Sequence, residues 1–230
     1  MKLFLFAIYY VLCLGNSFTY FHDCPAMLTE IAASQGDSLV VRAETVGGYS
    51  FYRHLQDLNS ISAIEARAYD YVFLQDQSQA AARYASDRKR YRQLLQDAWD
   101  LVRRIRIYSP DAHIFIERTW AYKGNNNGGF ESLETFDRLL ADGTRQVARK
   151  TRTSLSPIGE AFMICRWERS DINLFEEDLK HQTAYGSYLK SCINYLEMVQ
   201  RPFVENVPTL DLDEEKCAYL RNLAERVVLQ

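Results

Sequence analysis

The chain has 230 residues, of which 47% are hydrophobic, 25% charged and 13% aromatic. Its 10 glycines and 5 prolines are too few for a disordered or collagen-like chain, and its length is typical of one compact domain, residues 1–230. The formal net charge of −3 gives no general attraction to phosphate groups, so we expect no nucleic-acid partner.

The chain begins with an apolar run, residues 3–14, that follows Lys2. This run is shorter than the roughly 20 apolar residues that span a bilayer, and no small-residue cleavage site of a secretory signal follows it. It is rich in Phe, Ile, Tyr and Val and ends at Gly15, which favours a buried first strand. We therefore expect a cytoplasmic protein with no membrane span. If the run is a signal instead, the protein is secreted or periplasmic.

Strand-like and helix-like patterns alternate along the rest of the chain. Short apolar runs predict strands at residues 39–46, 71–74 and 113–119 and a brief one before Pro157. Apolar spacings of three and four residues predict helices near Pro25 and at residues 91–105, 133–150, 184–199 and 213–228. The polar segment 123–129 is expected to be a loop at the carboxyl end of a strand. Because parallel strands need crossover helices, the alternation predicts a mostly parallel sheet covered on both faces.

The sequence predicts neither a metal nor a cofactor. The five cysteines lie far apart and form no CxxC pair, which argues against a zinc site or a disulfide framework and favours a reducing compartment. Histidines and carboxylates form no cluster with the spacing of metal ligands. No Gly-rich phosphate loop follows the first strand, which argues against a nucleotide- or flavin-binding domain with a similar sheet.

Four histidines limit the choice of a general base. His113 opens an apolar strand and is expected to be structural, whereas His54 lies in a helical stretch and is expected to face solvent. His22 is an alternative base. His181 follows Asp178 by three residues, a spacing that puts both side chains on one side of a turn. In that position a carboxylate can fix the tautomer of the imidazole and stabilise the imidazolium.

A serine follows the first predicted strand. Ser17 stands in the tripeptide Gly15-Asn16-Ser17, before a helix that is expected to begin near Pro25. A serine on such a turn exposes its hydroxyl at the carboxyl edge of the sheet, and its own N–H can point at a developing oxyanion. An ordinary turn serine explains the same residue when it is taken alone.

The order of these blocks resembles that of the SGNH/GDSL hydrolase family. A Gly-Asn-Ser-Phe-Thr block follows the first strand, a Gly-Gly pair follows the second, and an Asp-x-x-His block lies late in the chain. The resemblance extends over residues 12–196 and includes stretches typical of a bacterial branch of the family. These are residues 45–48, 69–78, 119–122, 157–161 and 181–189. The resemblance implies a three-layer α/β/α fold with a mostly parallel, flavodoxin-like five-stranded sheet.

By this resemblance Ser17 is the nucleophile, His181 is the general base and then the acid, and Asp178 is the residue that orients His181. The implied activity is that of a serine esterase, which hydrolyses small acyl esters through an acyl-enzyme intermediate. The broader family includes carbohydrate acetylesterases. We therefore expect an O-acetyl ester on a carbohydrate as the substrate, with lipid esters and thioesters as alternatives.

The resemblance also implies an oxyanion hole. Its first two donors are the N–H groups of Ser17 and Gly48, with Gly47 as an alternative to Gly48. Family members take a third donor from an Asn side chain in a Gly-x-Asn block, but this chain has a Gln-Asp-Gln stretch there. A Gln amide can donate the same hydrogen bond. Gln77 is therefore the expected third donor and Gln75 the alternative.

Residues after the fourth strand are candidates for substrate recognition. Trp120, Tyr122 and Asn125 supply two aromatic faces for stacking on a sugar ring and an amide for its hydroxyls. A packing role is the alternative for Trp120, since Trp is commonly buried. The competing function is a catalytically impaired module that binds a carbohydrate or another partner, which the unusual third block suggests. Retention of all three triad residues argues against that module.

Overall fold

A computed structural model describes residues 8–85, 87–204 and 206–229. Its centre is a five-stranded parallel sheet with the strand order β2-β1-β3-β4-β5. The strands are β1 (Ile8–Gly15), β2 (Ser38–Thr45), β3 (Tyr71–Leu74), β4 (His113–Glu117) and β5 (Ser154–Ser156). This is the flavodoxin-like order, so the predicted fold class is confirmed.

Helices cover both faces of the sheet. They are α1 (Ser17–Tyr20), α2 (Cys24–Ser34), α3 (Phe51–Gln56), α4 (Leu58–Glu65), α5 (Arg88–Tyr108), α6 (Gly124–Gly129), α7 (Leu133–Thr151), α8 (Ile158–Glu168), α9 (Ala184–Val199) and α10 (Glu214–Val228). The predicted strands and helices are confirmed with small shifts of their ends. Residues 3–7 of the predicted first strand lie outside the described residues. Within the described ranges, no helix has both the length and the apolar character that a membrane crossing requires.

Alternate residues of β1 pack into two separate cores. Val11 and Cys13 belong to the core that also contains residues of α2, α9 and α10, whereas Leu12 and Leu14 belong to the core that contains residues of α4 and α5. This division follows from the period of two along a strand. Burial of both faces is what an all-parallel sheet requires, and it explains why β1 reads as a continuous apolar run.

The loop predicted at residues 123–129 is a compact left-handed turn. Within α6, residues 125–128 all have a positive φ, between 52° and 66°. Asn and Gly tolerate this left-handed region better than other residues do. The N–H of Gly124 donates to the carbonyl of Leu179 at 3.0 Å, and a Cβ at Gly124 would collide with the carbonyl of Asp178. The turn is therefore packed directly against the segment that precedes α9.

All five cysteines are buried and unpaired. Burial raises the pKa of Cys24 and of Cys217 to about 11 and that of Cys165 to about 12. Burial also raises the pKa of Cys13 and Cys192. These side chains are therefore thiols at neutral pH and pack as small apolar groups.

A buried ion pair lies beneath the turn that follows β1. The ammonium group of Lys190 donates to Glu117 Oε2 at 2.5 Å, and also to the carbonyl of Phe18 and to Thr19 Oγ1, each at 3.1 Å. Asn194 Nδ2 donates to the other oxygen of the Glu117 carboxylate at 3.0 Å. The side chains of Lys190 and Glu117 are 1% and 2% exposed. These contacts join α9, β4 and α1 in one network.

We expect Lys190→Met to destabilise the fold strongly, because it leaves the carboxylate of Glu117 buried without a countercharge. Breaking a buried pair in this way lowers the free energy of unfolding by about 3–5 kcal/mol, which urea denaturation measures. Lys89→Met, at an exposed position on α5, is the control and should shift it by less than about 0.5 kcal/mol. Equal stability of the two variants would contradict the prediction.

Candidate active site

Ser17 lies at the start of α1, directly after the end of β1. Asn16 caps this helix, because its Oδ1 accepts a hydrogen bond from the backbone N–H of Phe18 at 3.1 Å. The N–H groups of the first helical turn have no partner within a helix, and that of Ser17 donates to no acceptor in the described part of the chain. Ser17 is 8% exposed. The short, capped helix therefore fixes the position of Ser17, from which its hydroxyl and its N–H project.

The structure brings together the three residues of the predicted triad. Ser17 Oγ lies 2.8 Å from His181 Nε2, and His181 Nδ1 lies 2.5 Å from Asp178 Oδ2. When Nδ1 carries the proton and donates a hydrogen bond to the carboxylate, Nε2 is free to accept the proton of the serine hydroxyl. The geometry therefore allows proton transfer from Ser17 to His181.

The carboxylate of Asp178 is oriented by its own turn. Its Oδ1 accepts hydrogen bonds from the backbone N–H groups of Lys180, at 3.0 Å, and His181, at 2.9 Å. Leu179, with a φ of 55°, closes the turn between them. Burial opposes ionisation of Asp178, but the hydrogen bonds from His181 and Lys180 outweigh it and hold the pKa of Asp178 below its usual value. Asp178 is therefore a carboxylate at neutral pH and can stabilise an imidazolium.

Two aromatic rings fix the plane of the His181 imidazole. Phe21 stacks on it with 4.3 Å between the ring centroids and 6° between the planes. Phe18 meets the ring edge-on, with 5.6 Å between centroids. Both rings follow Ser17 closely in the chain, so the segment that carries the serine also orients the histidine.

The other histidines do not contact Ser17. The Nε2 atom of His22, the alternative base, lies 2.7 Å from Glu176 Oε1. His54 was expected to face solvent, but it is fully buried, and its Nε2 lies 3.1 Å from the carbonyl of Gly15. Burial lowers the pKa of His54 to about 4, so it is neutral at physiological pH. The described residues contain no group of three or more His, Cys, Asp or Glu that could hold a metal ion.

The predicted second oxyanion donor, Gly48, and its alternative, Gly47, lie on the turn after β2. Gly48 is exposed and has a φ of 73°, a conformation that glycine adopts without strain. On either side of the pair, Val46 donates its N–H to the carbonyl of Gly15 and Tyr49 donates its N–H to that of Val46. The N–H groups of Gly47 and Gly48 donate to no acceptor among the described residues. They are therefore available to a ligand, and their role as oxyanion donors stays a prediction.

Asn16 joins three turns at this edge of the sheet. Its Nδ2 donates to the carbonyl of Tyr49, after β2, at 2.8 Å and to the carbonyl of Asp76, after β3, at 3.2 Å. Its backbone N–H donates to Gln75 Oε1 at 3.0 Å. This role of Asn16 could not be predicted from the sequence, where its only sign is an Asn next to the serine.

The two candidates for the third oxyanion donor differ in the structure. Gln75 is 1% exposed, its Oε1 accepts from Asn16 and Thr19, and its Nε2 donates to the carbonyl of Asp76. These bonds hold the amide in the interior, but Nε2 uses only one of its two hydrogens among the described residues. Gln75 therefore stays the alternative donor. Gln77 is partly exposed, and its Nε2 makes only a long contact of 3.4 Å, with the hydroxyl of Ser78. Gln77 stays the predicted third donor.

Trp120 is a packing residue, which corrects its assignment to substrate binding. Its side chain is 1% exposed, and its ring is sandwiched between Phe18 and Phe162, with 4.2 Å between the ring centroids on each side. The indole Nε1 donates to the carbonyl of Lys180 at 3.0 Å. Trp120 thus supports the segment that carries Asp178, and no face of the ring is left for a sugar.

Tyr122 is also buried, with no exposed area, and its hydroxyl accepts a hydrogen bond from Gln79 Nε2 at 2.8 Å. This corrects its assignment to substrate binding as well. Asn125 is exposed, in the left-handed turn whose Gly124 bonds to the carbonyl of Leu179. Of the three predicted substrate residues, Asn125 alone is accessible, and its contact with substrate stays a prediction.

Comparison with known proteins agrees with this fold. No protein-family model and no curated protein match the chain. A DUF4886 family protein from Bacteroides uniformis is 19% identical, with a TM-score of 0.81 and coverage of 97% of this chain and 95% of that one. The chain shares its fold. At this identity the likeness shows nothing beyond the fold.

Two further solved structures show the same fold. A protein described as a GDSL-like lipase, from Parabacteroides merdae, is 13% identical, with a TM-score of 0.60 and coverage of 87% of this chain and 99% of that one. An acetylxylan esterase from Geobacillus stearothermophilus is 14% identical, with a TM-score of 0.61 and coverage of 86% and 97%. These likenesses support the fold that the sequence resemblance implied.

Trp120→Phe is expected to lower stability without a specific effect on carbohydrate substrates. Phe keeps part of the stacking but removes the hydrogen bond to Lys180 and leaves a cavity in the core, so the free energy of unfolding should fall by about 2–4 kcal/mol. Thermal or urea denaturation measures this change. Trp167→Phe, at a position that is 74% exposed, is the control and should change little. A rise in KM for an acetylated sugar, but not for an aryl acetate, would contradict the packing role.

Proposed function

We propose that the protein is a serine esterase of the SGNH/GDSL type. The observation that carries the proposal is the chain of contacts from Ser17 Oγ to His181 Nε2 and from His181 Nδ1 to Asp178. It supplies a nucleophile, a base and an orienting carboxylate in the arrangement that acyl transfer requires. The fold likeness to a GDSL-like lipase and to an acetylxylan esterase supports the same reaction class.

In the proposed mechanism, Ser17 Oγ attacks the ester carbonyl while its proton moves to His181 Nε2. The electron pair of the C=O bond moves to the carbonyl oxygen, and the N–H groups of Ser17 and Gly48 bind the resulting oxyanion. When this intermediate collapses, the bond to the alcohol oxygen breaks and His181 returns the proton to that oxygen. Water activated by His181 then hydrolyses the acyl-enzyme and releases the acid.

We propose a small acyl ester, an O-acetyl group on a carbohydrate, as the substrate. The likeness to an acetylxylan esterase supports this class. Because Trp120 and Tyr122 are buried, recognition of the alcohol part falls to exposed polar groups such as Asn125 and to backbone atoms of the surrounding turns. Such a site predicts weak discrimination between alcohols.

Ser17→Ala and His181→Ala should each reduce kcat by about a thousandfold or more, on an aryl acetate and on an acetylated oligosaccharide. The reason is that the nucleophile and the base of the proposed triad act together, so loss of either one removes the function of both. Asp178→Asn should lower kcat by a smaller factor, because loss of the acid costs less than loss of the nucleophile or the base, although the amide no longer stabilises the imidazolium. Ser62→Ala, at an exposed position on α4, is the control and should match the wild type.

A fluorophosphonate probe gives an independent test of the nucleophile. Peptide mapping after incubation is expected to locate the adduct on Ser17 in the wild type, and intact mass should show no adduct in Ser17→Ala. Full turnover by Ser17→Ala would overturn the mechanism. A folded wild-type protein that binds an acetylated sugar but neither labels nor hydrolyses it would support the carbohydrate-binding module instead.

Gln77→Ala tests the third oxyanion donor. Loss of one such donor reduces kcat by about 10²–10³-fold, or about 2.7–4 kcal/mol in the transition state, with little change in KM. Gln77→Asn keeps an amide and should recover part of the loss. Steady-state kinetics on one aryl acetate measure both variants, and an unchanged kcat in Gln77→Ala would remove Gln77 from the oxyanion hole.

A further inference from the structure

Asp76 connects the turn after β3 with the turn after β2. Its Oδ1 accepts hydrogen bonds from the backbone N–H of Gln77, at 2.8 Å, and from that of Phe51, at 2.9 Å. Phe51 is the first residue of α3, which begins three residues after Gly48. One carboxyl oxygen therefore ties the predicted third oxyanion donor to the helix that follows the predicted second donor.

The backbone of Asp76 reaches the nucleophile turn as well. Its carbonyl accepts hydrogen bonds from Asn16 Nδ2 and from Gln75 Nε2. Asn16 precedes Ser17 and caps the helix that carries it. Asp76 thus contacts all three turns on which the proposed oxyanion donors lie, and it touches none of the reacting atoms itself.

The second carboxyl oxygen of Asp76 is enclosed and unsatisfied. Oδ2 has no accessible surface and no hydrogen-bond partner among the described residues. Asp76 lines a small pocket of about 20 Å³ together with Gln77, Glu117 and Thr119, which is room for one water molecule. An ionised carboxylate in this position would leave one charged oxygen without a donor from the protein, whereas a protonated carboxyl can donate to a water or a hydroxyl there.

The charged groups around Asp76 give its carboxyl group no countercharge. Burial raises the pKa of Asp76 to about 7, against the opposing effect of the N–H groups of Phe51 and Gln77. On α5, Arg90 and Asp97 line the groove beside Asp76 with opposite charges. On β4, Glu117 lines the same small pocket, but its charge is matched by Lys190. None of these groups forms an ion pair with Asp76 in the described structure.

We propose that Asp76 is a positioning residue, whose enclosed carboxyl group sets the separation of the Gly48 and Gln77 turns around the oxyanion. This inference rests on the proposed esterase function. The neutral carboxyl keeps both turns in place, because its free oxygen needs no countercharge. Ionisation forces that oxygen to recruit water or to move, and the two turns move with it. Turnover is therefore expected to fall as the pH rises through the titration of Asp76.

The first experiment follows thermal stability with pH and needs no substrate. A carboxyl whose pKa is higher in the folded protein than its unfolded value of about 3.9 loses stability as the pH rises between the two values. Asp76→Asn, which has the shape of the protonated acid, does not titrate. The Tm of Asp76→Asn relative to the wild type should therefore rise from about pH 4 to about pH 7 and then level off. For Asp111→Asn, an exposed control, this difference should stay flat.

The second experiment measures kcat and KM for an aryl acetate across the same pH range and above it. Asp76→Ala removes the acceptor for both N–H groups and should lower kcat by about 10- to 100-fold with little change in KM, since small misplacement of catalytic groups has effects of this size. Asp76→Asn should recover most of that loss and should lack the alkaline decrease in kcat of the wild type. A purely structural role would lower Tm without altering the pH profile.

The outcomes separate this inference from the proposed function. A folded Asp76→Ala variant with the kcat of the wild type, or an unchanged alkaline decrease in Asp76→Asn, would overturn the role of Asp76 while leaving the esterase proposal intact. If Asp76→Ala does not fold, the dependence of kcat on pH in Asp76→Asn alone tests the role of Asp76. A wild type that neither hydrolyses esters nor reacts at Ser17 with a fluorophosphonate would overturn the esterase proposal, and this inference with it.

Discussion

The side-chain amide of Asn16 holds the candidate active site together. In the strand order β2-β1-β3, the turn after β1 lies between the turns after β2 and β3. One side chain on that central turn can therefore reach both neighbours, and Asn16 does so through the carbonyls of Tyr49 and Asp76. Its Oδ1 meanwhile caps the helix of Ser17. An amide suits this position because it offers two donors and an acceptor without a charge.

The remaining supports of the site come from the core beneath it. Lys190 holds the carbonyl of Phe18 from below, and Trp120 holds the segment of Asp178 through the carbonyl of Lys180. Phe18 itself stacks on Trp120, so the serine segment and the histidine segment pack on a shared set of buried rings. Because these buried rings are closely packed, they hold the turn of Ser17 and the segment of Asp178 and His181 at hydrogen-bonding distance from each other.

The sequence was sufficient for the fold and for the proximity of Asp178 and His181, because these depend on local patterns. Ser17 lies 164 positions from His181, and its pairing with that histidine was expected from the family resemblance and not from a local period. Apolar periodicity separated strands from helices, and the spacing of Asp178 and His181 brought two side chains to one turn. The roles of Asn16, Asp76 and Trp120 could not be predicted in the same way. Their partners lie about 60 positions away along the chain for Asn16–Asp76 and for Trp120–Lys180, and no local period encodes such contacts. Burial of Trp120 and Tyr122 likewise depends on which helices close over them.

The five buried cysteines have a practical consequence for work on this protein. At neutral pH their raised pKa values and their burial keep them from forming accessible thiolates. A cysteine introduced at Lys123, an exposed residue with a φ of −80° at the start of the left-handed turn, would then be the preferred target of a maleimide, with the native thiols left in place. Spin labels or fluorophores could be attached beside the candidate site on the otherwise unaltered sequence, and the distance from that turn to other surface points could be followed in solution.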